Sequence, residues 1–175
     1  MHVKLAALAS SVLLLAACAT QIHEQPETIQ PSKAKLGQYK RDTIKAIDTS
    51  AVPDMEDKVT QRMQEALSKC MAVIFKGAKP FNERAAVGGL VIEPSIVDIK
   101  KVNMAQRIFF GAMAGSSAAL LKVRFVDAGK KDVLAEPVFY GKANAFGGAY
   151  SAGATDNDML TRLPLQACDY SRENY

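Results

Sequence analysis

Histidine is nearly missing from this chain. Two of its 175 residues are histidine: His2 at the very start and His23 in a polar run, so the stretch able to fold holds none. That removes imidazole acid–base chemistry, any Ser-His-Asp or Cys-His relay within one chain, and histidine-containing zinc sites from the domain. Cysteine is scarce as well. The three, Cys18, Cys70 and Cys168, are too few and too scattered for a Cys-x-x-Cys or a four-ligand metal site. No like-charged block occurs: the formal net charge of +4 comes from lysines and arginines interspersed with acids, unlike the footprint of a nucleic-acid binder. No apolar run reaches the roughly 20 residues of a permanent membrane span, and no repeat with a period of about 20–50 residues appears. Catalytic, metal and cofactor chemistry therefore all go unassigned.

What is present begins at the amino end. Met1 to Lys4 form a short basic start, Leu5 to Leu15 an apolar run, and Leu15-Ala16-Ala17-Cys18 a small-residue cut site that ends in cysteine. This three-zone layout is that of a secretory signal, and a cysteine directly after the small residues resembles the lipobox of bacterial lipoproteins. The resemblance implies cleavage before Cys18 and lipid on its sulfur and new amine. One acyl chain holds a protein only marginally, whereas two or three anchor it stably. In such lipoproteins an aspartate after the cysteine favours inner-membrane retention. Here that residue is Ala19, which for a Gram-negative source implies the periplasmic face of the outer membrane. The chain divides into a signal peptide (1–17), a lipidated, flexible stalk (18–38) that is polar and carries Pro26 and Pro31, and a folded domain (39–175) of ordinary single-domain size.

With Cys18 committed to lipid, Cys70 and Cys168 remain. In an oxidising compartment an even pair invites a disulfide; the alternative is two buried thiols packing as small hydrophobes.

Within the domain, Thr43 to Ile47 suits a short edge strand. Val59, Met63, Ala66, Leu67 and Cys70 then fall on one stripe of an amphipathic helix, with Asp54 as N-cap and Glu56 and Asp57 in its first turn. Extended segments follow at Met71–Phe75 and Leu90–Val102, where Pro94 implies an edge or a bulge. Leu120–Asp127 and Val133–Tyr140 flank Ala128-Gly129-Lys130-Lys131-Asp132 as a hairpin whose second arm has Pro137, again an edge or bulge signal. Residues 143–155 read as a loop. A weaker helix from Asp156 to about Tyr170 puts Met159, Leu160, Leu163 and Ala167 on one side, with Pro164 inside it. Sequential strands with helices at the ends predict an α+β domain: a mostly antiparallel or mixed sheet of about five strands with both helices on one face.

Two small-residue segments stand out as candidate contact surfaces. Phe109-Phe110-Gly111-Ala112-Met113-Ala114-Gly115 is apolar with a Gly-x-x-x-Gly spacing, but it is too short to span a bilayer, and it lacks the lysine of a phosphate cradle. Phe146 and Tyr150 lie among glycines in the second segment, residues 143–153. Each suits either a partner or lipid contact or a plain connection. An acid pair such as Asp98 with Asp127 could in principle form a glycosidase dyad, but nothing in the sequence brings them together, and they read as solvated strand and turn acids.

The lipobox, followed by RIFFGAMAG (107–115) and LLKVRFVDAGKKDVLAEPVFYGKA (120–143), resembles a family of bacterial lipoproteins built on a domain of unknown function. Its pattern is an arginine, a glycine-rich stretch, a strand ending in aspartate, a turn, and a strand opening Val-Leu-Ala. Arg107, Gly111, Gly115, Asp127, Gly129 and Val133-Leu134-Ala135 match it; Cys70 and Cys168 lie outside it. The family is similar in architecture to small α/β domains of outer-membrane assembly lipoproteins, such as curli secretion and peptidoglycan-synthase activator proteins. The resemblance implies a non-enzymatic role in binding another envelope protein, a lipid or a glycan. Carriage of a lipid or small ligand in an apolar pocket is the alternative, and a carboxylate-based hydrolase comes third. Neither sequence nor resemblance indicates an oligomeric state.

Overall fold

Two long runs of alternating aliphatic residues, Leu90–Lys100 and Ala118–Asp127, pair antiparallel along nearly their whole length. The computed structural model describes residues 29–82, 84, 88–100, 117–143 and 154–175, with 154–158 as backbone only. In chain order its elements are β1 (Asp42–Ile44), α1 (Asp57–Ile74), β2 (Lys79–Pro80), β3 (Leu90–Lys100), β4 (Ala118–Asp127), β5 (Asp132–Ala135), β6 (Val138–Lys142) and α2 (Ala154–Glu173). The sheet order is β2-β1-β3-β4-β5, with β6 also on β4. β1 runs parallel to both β2 and β3, and the rest is antiparallel. The fold is a single α+β domain with a mixed sheet, as the pattern of elements predicts.

Both helices cover one face. Met63, Leu67 and Met71 of α1 and Met159, Leu163 and Ala167 of α2 are buried in one core with Leu90, Ile92, Ile96, Leu121, Val123 and Phe125 of the sheet. Each such large side chain contributes about 1.5–3 kcal/mol by leaving water. Gly141 of β6 is where α2 comes closest, since a Cβ there would lie 3.0 Å from Leu163 Cγ and Met159 Cγ. Pro164 stays inside the helix.

Four local expectations are corrected. Met71–Phe75 is not a strand; α1 runs on to Ile74 because the stripe of Val59, Met63 and Leu67 continues through Met71 and Phe75, both buried. Tertiary burial of a fourfold spacing outweighs the β preference of Val73, Ile74 and Phe75. The residue preceding α1 is Glu56 rather than Asp54, and its side chain makes no capping bond.

β1 is interior rather than at an edge, with β2 on its outer side, and Pro94 marks the bulge alternative: pairing with β3 runs from Ile44↔Ile92 to Asp48↔Ser95, four residues against three. The two facts are linked. Lys45 N–H donates to Ile92 C=O at 2.9 Å, so the next parallel bond would run from an N–H at position 94, which proline lacks. The orphaned Lys45 carbonyl accepts Gln64 Nε2 at 3.4 Å instead, and Gln64 Oε1 accepts Ile47 N–H at 2.7 Å. Pairing resumes at Asp48, whose N–H donates to Pro94 C=O at 3.0 Å. Pro137, by contrast, marks an outer-strand break, separating β5 from β6 along the same side of β4.

The fourth concerns the stalk, which is docked well before residue 39. Tyr170 Oη donates to Gln30 C=O at 3.0 Å, Lys33 N–H to Leu134 C=O at 2.9 Å, and Leu36 is fully buried. Polar neighbours disguise one core leucine.

Candidate functional site

Strand directions sort the molecule into two ends. β1, β2 and β3 start, and β4 finishes, at the end where α1 and α2 both terminate: Phe75, just past α1, lies 5.7 Å from the Tyr175 ring beyond α2. This end is called the C-terminal pole below. Cys70, one turn before the end of α1, and Cys168 in α2 form a disulfide with a Cα–Cα distance of 6.2 Å. Above it opens a hollow of about 410 Å³ lined by Cys70, Val73, Ile74, Arg172 and Tyr175. Val73 is 80% exposed there, unusual for a branched aliphatic. Arg172, the one cation lining the hollow, is paired with Asp169 at 2.7 Å. This lining suits contact with apolar groups, and it brings no two carboxylates together.

At the same pole, Asp127 organises the hairpin turn. It ends β4 on the buried side, and its Oδ1 accepts the Gly129 and Lys130 amides at 2.9 and 3.0 Å. Its Oδ2 accepts Tyr39 Oη at 2.9 Å. The Lys130 amide foremost, then the Tyr39 hydroxyl and the Gly129 amide, hold this carboxyl below the usual range against the opposing effect of desolvation. The aspartate of the Asp-turn-Val-Leu-Ala pattern is thereby a clasp joining the N-terminal segment to the hairpin. Asp42, at the start of β1, is the contrasting acid. Burial pushes it up to about 6, and its Oδ1 has no partner among the described residues.

The sheet face away from the helices carries a row of ion pairs. Glu93 binds Lys45 at 2.7 Å and Arg124 at 3.0 Å, and Glu136 binds Lys122 at 3.0 Å. These half-exposed pairs contribute little individually, about 0–1 kcal/mol each, but they neutralise the face. β2 and β6, on opposite sides of the sheet, offer little backbone for strand addition. β2 is two residues long and contains Pro80. On β6, the outward carbonyls of Tyr140 and Lys142 accept Gln166 Nε2 at 3.3 Å and Arg162 Nη2 at 3.2 Å from α2.

The acid pair Asp98 and Asp127 is not assembled. Asp127 registers with Leu90, whereas Asp98 lies near the other end of β3 opposite Leu120, roughly 25 Å away at about 3.3 Å per residue. A glycosidase dyad requires about 5–9.5 Å. Cys18, Phe109, Phe110, Gly111, Gly115, Phe146 and Tyr150 lie outside the described residues. The strand ends flanking their segments are neighbours, however: Lys100 pairs with Ala118, and Ala118 with Lys142, at the pole opposite the hollow. Among the described residues no His/Cys/Asp/Glu group could hold a metal ion, and no helix is long and apolar enough to cross a membrane. Sequence reading missed the hollow, because it arises where two helix ends distant in sequence meet.

A family model described as a domain of unknown function (DUF4410) matches residues 18–148. No curated protein matches the chain. Among solved structures, the PelC dodecamer from Paraburkholderia phytofirmans aligns at 9% identity and a TM-score of 0.56, covering 83% of this chain and 96% of that one. A protein of the DUF330 family from Xanthomonas campestris aligns at 10% identity and a TM-score of 0.51, covering 84% and 91%. At such identities the likeness is one of fold.

Proposed function

We propose, for a chain that belongs to the family described as a domain of unknown function (DUF4410), that it is a lipid-anchored envelope module acting by binding rather than by catalysis. The observation that carries this reading is where the family match begins. It starts at residue 18, the cysteine behind Leu15-Ala16-Ala17, and leaves out the apolar run before it. What the family shares thus begins at the residue that a lipoprotein would carry as its acylated amino terminus. Ala19 favours the periplasmic face of the outer membrane in a Gram-negative source.

The domain's surface fits a binding module. With little backbone open on β2 and β6 and one sheet face neutralised by ion pairs, contacts fall to the helix-end hollow and to the opposite pole. There the segments bearing Phe109, Phe110, Gly111 and Gly115, and Phe146 and Tyr150, depart from adjacent strand ends. The partner is another envelope protein, a lipid or a glycan. Because a protein of the same fold is a dodecamer, further copies of this chain are partners to look for. Crosslinking in living cells followed by mass spectrometry tests the reading. It predicts one envelope complex recovered reproducibly, whether of copies or of a second component. Recovery of monomer alone, together with small-molecule turnover by the purified protein, would contradict it.

A second reading, carriage of a lipid or small ligand, has one observation in its favour. The hollow of about 410 Å³ falls within the roughly 300–1,000 Å³ of ligand pockets. Native mass spectrometry of the purified protein decides it: a co-purifying small molecule lost on Val73→Glu supports carriage, and a bare chain counts against it.

A further inference from the structure

Charge on the described surface is sorted by position. On the open sheet face the cations Lys45, Lys122 and Arg124 are each within 3.0 Å of Glu93 or Glu136. At the C-terminal pole the pattern is different. Lys35, Lys40, Arg41, Lys76, Lys130 and Lys131 are all exposed there. None makes an ion pair with a carboxylate among the described residues. Separate contacts bring them to one end. Leu36 N–H donates to Asn174 C=O, Leu90 N–H to Arg41 C=O, and Ala128 N–H to Gly89 C=O, while Phe75 next to Lys76 touches Tyr175. Helix dipoles account for Lys76 alone, because the others lie before β1 or in the hairpin turn. Acids share this pole, Asp132 and Glu173 both exposed and Asp127 in the turn, but the six cations outnumber these three; Asp54, Glu56 and Asp57 gather around the start of α1, about 27 Å away along an 18-residue helix.

Two further observations tell what this pole faces. It also exposes apolar groups, with Val73 80% and Tyr175 39% accessible; tyrosine with basic neighbours suits a membrane–water interface. In addition, the N-terminal segment is docked over this end and leaves it on the flank near Ile29. From there the chain back to Cys18 reaches roughly 40 Å at full extension. A membrane attached at Cys18 is thus within reach of this end, and once they touch, charges on it act over about a Debye length of 10 Å.

We infer that the C-terminal pole rests against an anionic phospholipid bilayer, with Lys35, Lys40, Arg41, Lys76, Lys130 and Lys131 on the headgroups and Tyr175 at their edge. The inference rests on the reading of Cys18 as the acylated residue. It adds an orientation: the helix ends face the membrane, and the opposite pole, with Lys100, Ala118 and Lys142, faces away. A lipid anchor strengthened by a basic surface is a two-signal attachment, and each cation near an anionic surface strengthens it about fivefold.

The test uses the acylated protein, purified from membranes and reconstituted in phosphatidylcholine vesicles with or without phosphatidylglycerol. Lysine acetylation rates are then read peptide by peptide. Lys35, Lys40, Lys76, Lys130 and Lys131 are expected to label several-fold more slowly with phosphatidylglycerol present and to recover at high salt. Lys58 and Lys100, at the other end, are expected to be unchanged. The variant Lys130→Glu/Lys131→Glu is expected to lose most of the protection at the remaining pole lysines. Equal labelling in the two vesicle types overturns the inference, as does protection that extends equally to Lys58 and Lys100. Protection that appears only on adding an envelope protein extract also overturns it, in favour of an acidic protein partner. Flotation separates the two layers of the argument. A protein that floats with pure phosphatidylcholine vesicles but shows no protected pole retains the anchor and loses the orientation, while one that does not float loses the anchor.

Discussion

Asp42 and Asp127 show how one residue type takes opposite roles two strands apart, on either side of Leu90. Asp42 is pushed up to about 6 by burial, above its unfolded value near 3.9. Folding therefore favours its neutral form, and stability is fullest below pH about 4 and is lost as the pH rises through about 4 to 6. Asp42→Asn is expected to gain roughly 1 kcal/mol over the wild type at pH 8, discounted because the carboxyl is only half-buried. The gain should vanish at pH 4, as urea denaturation at the two pH values would measure; an equal gain at both would refute the assignment. For Asp127, whose folded value is depressed by the amides and hydroxyl bound to it, the sign reverses: its contribution is present above pH 4 and fades as acid protonates it. Asp127→Ala should lower Tm by several degrees at pH 7 and much less at pH 3. Hydrogen exchange at the Gly129 and Lys130 amides should speed up. The sequence pattern marked Asp127 as distinctive but did not reveal its role, since the Tyr39 hydroxyl it binds is 88 residues away in the chain. Asp42 gave no signal at all, because burial of one strand-end acid depends on neighbours that periodicity does not report.

Elements were legible where one periodicity ran long. β3, β4, the hairpin and both helices follow from alternation or from an apolar stripe, while the end of α1 was misread because Val73-Ile74-Phe75 has strand composition inside a helical spacing. Pro94 signalled an irregular pairing, but not how the freed backbone group is satisfied. Proline inside a paired strand is tolerated when another group takes the stranded acceptor, and here that group is a glutamine from α1, with Gln64 bonded to Lys45 C=O and Ile47 N–H. Gln64→Leu leaves both backbone groups without that partner and should cost about 1–3 kcal/mol, whereas Gln61→Leu, on the exposed side of the same helix, should cost little; denaturation curves of the two compare them directly. The disulfide is the larger element-scale contribution. It links α1 to α2 across 98 residues of sequence, for which the loop-entropy model gives up to about 4–5 kcal/mol. Cys70→Ser/Cys168→Ser should lower stability by a comparable amount, and reductant should destabilise the wild type while leaving this variant unchanged. If reductant shifts both equally or neither, the linkage does not staple the helices.

At the scale of the whole molecule, the fold class could be read from the sequence, because α+β ordering is a matter of element sequence. The helix-end hollow and the basic pole could not be, because the first assembles residues from two distant segments and the second from three, each of ordinary composition. The account that joins them is mechanical. In the proposed reading, lipid on Cys18 would hold a stapled domain at a membrane, one end turned toward the headgroups and the other toward a partner. The most direct test is the mass of the N-terminal peptide of protein taken from cell membranes. The account predicts a chain that starts at Cys18 and carries a diacylglyceryl group with or without a further acyl chain, and a Cys18→Ser variant that lacks this mass and leaves the membrane fraction. A wild-type chain with an unmodified Cys18 thiol, or a Cys18→Ser variant that remains in the membrane fraction, would contradict it.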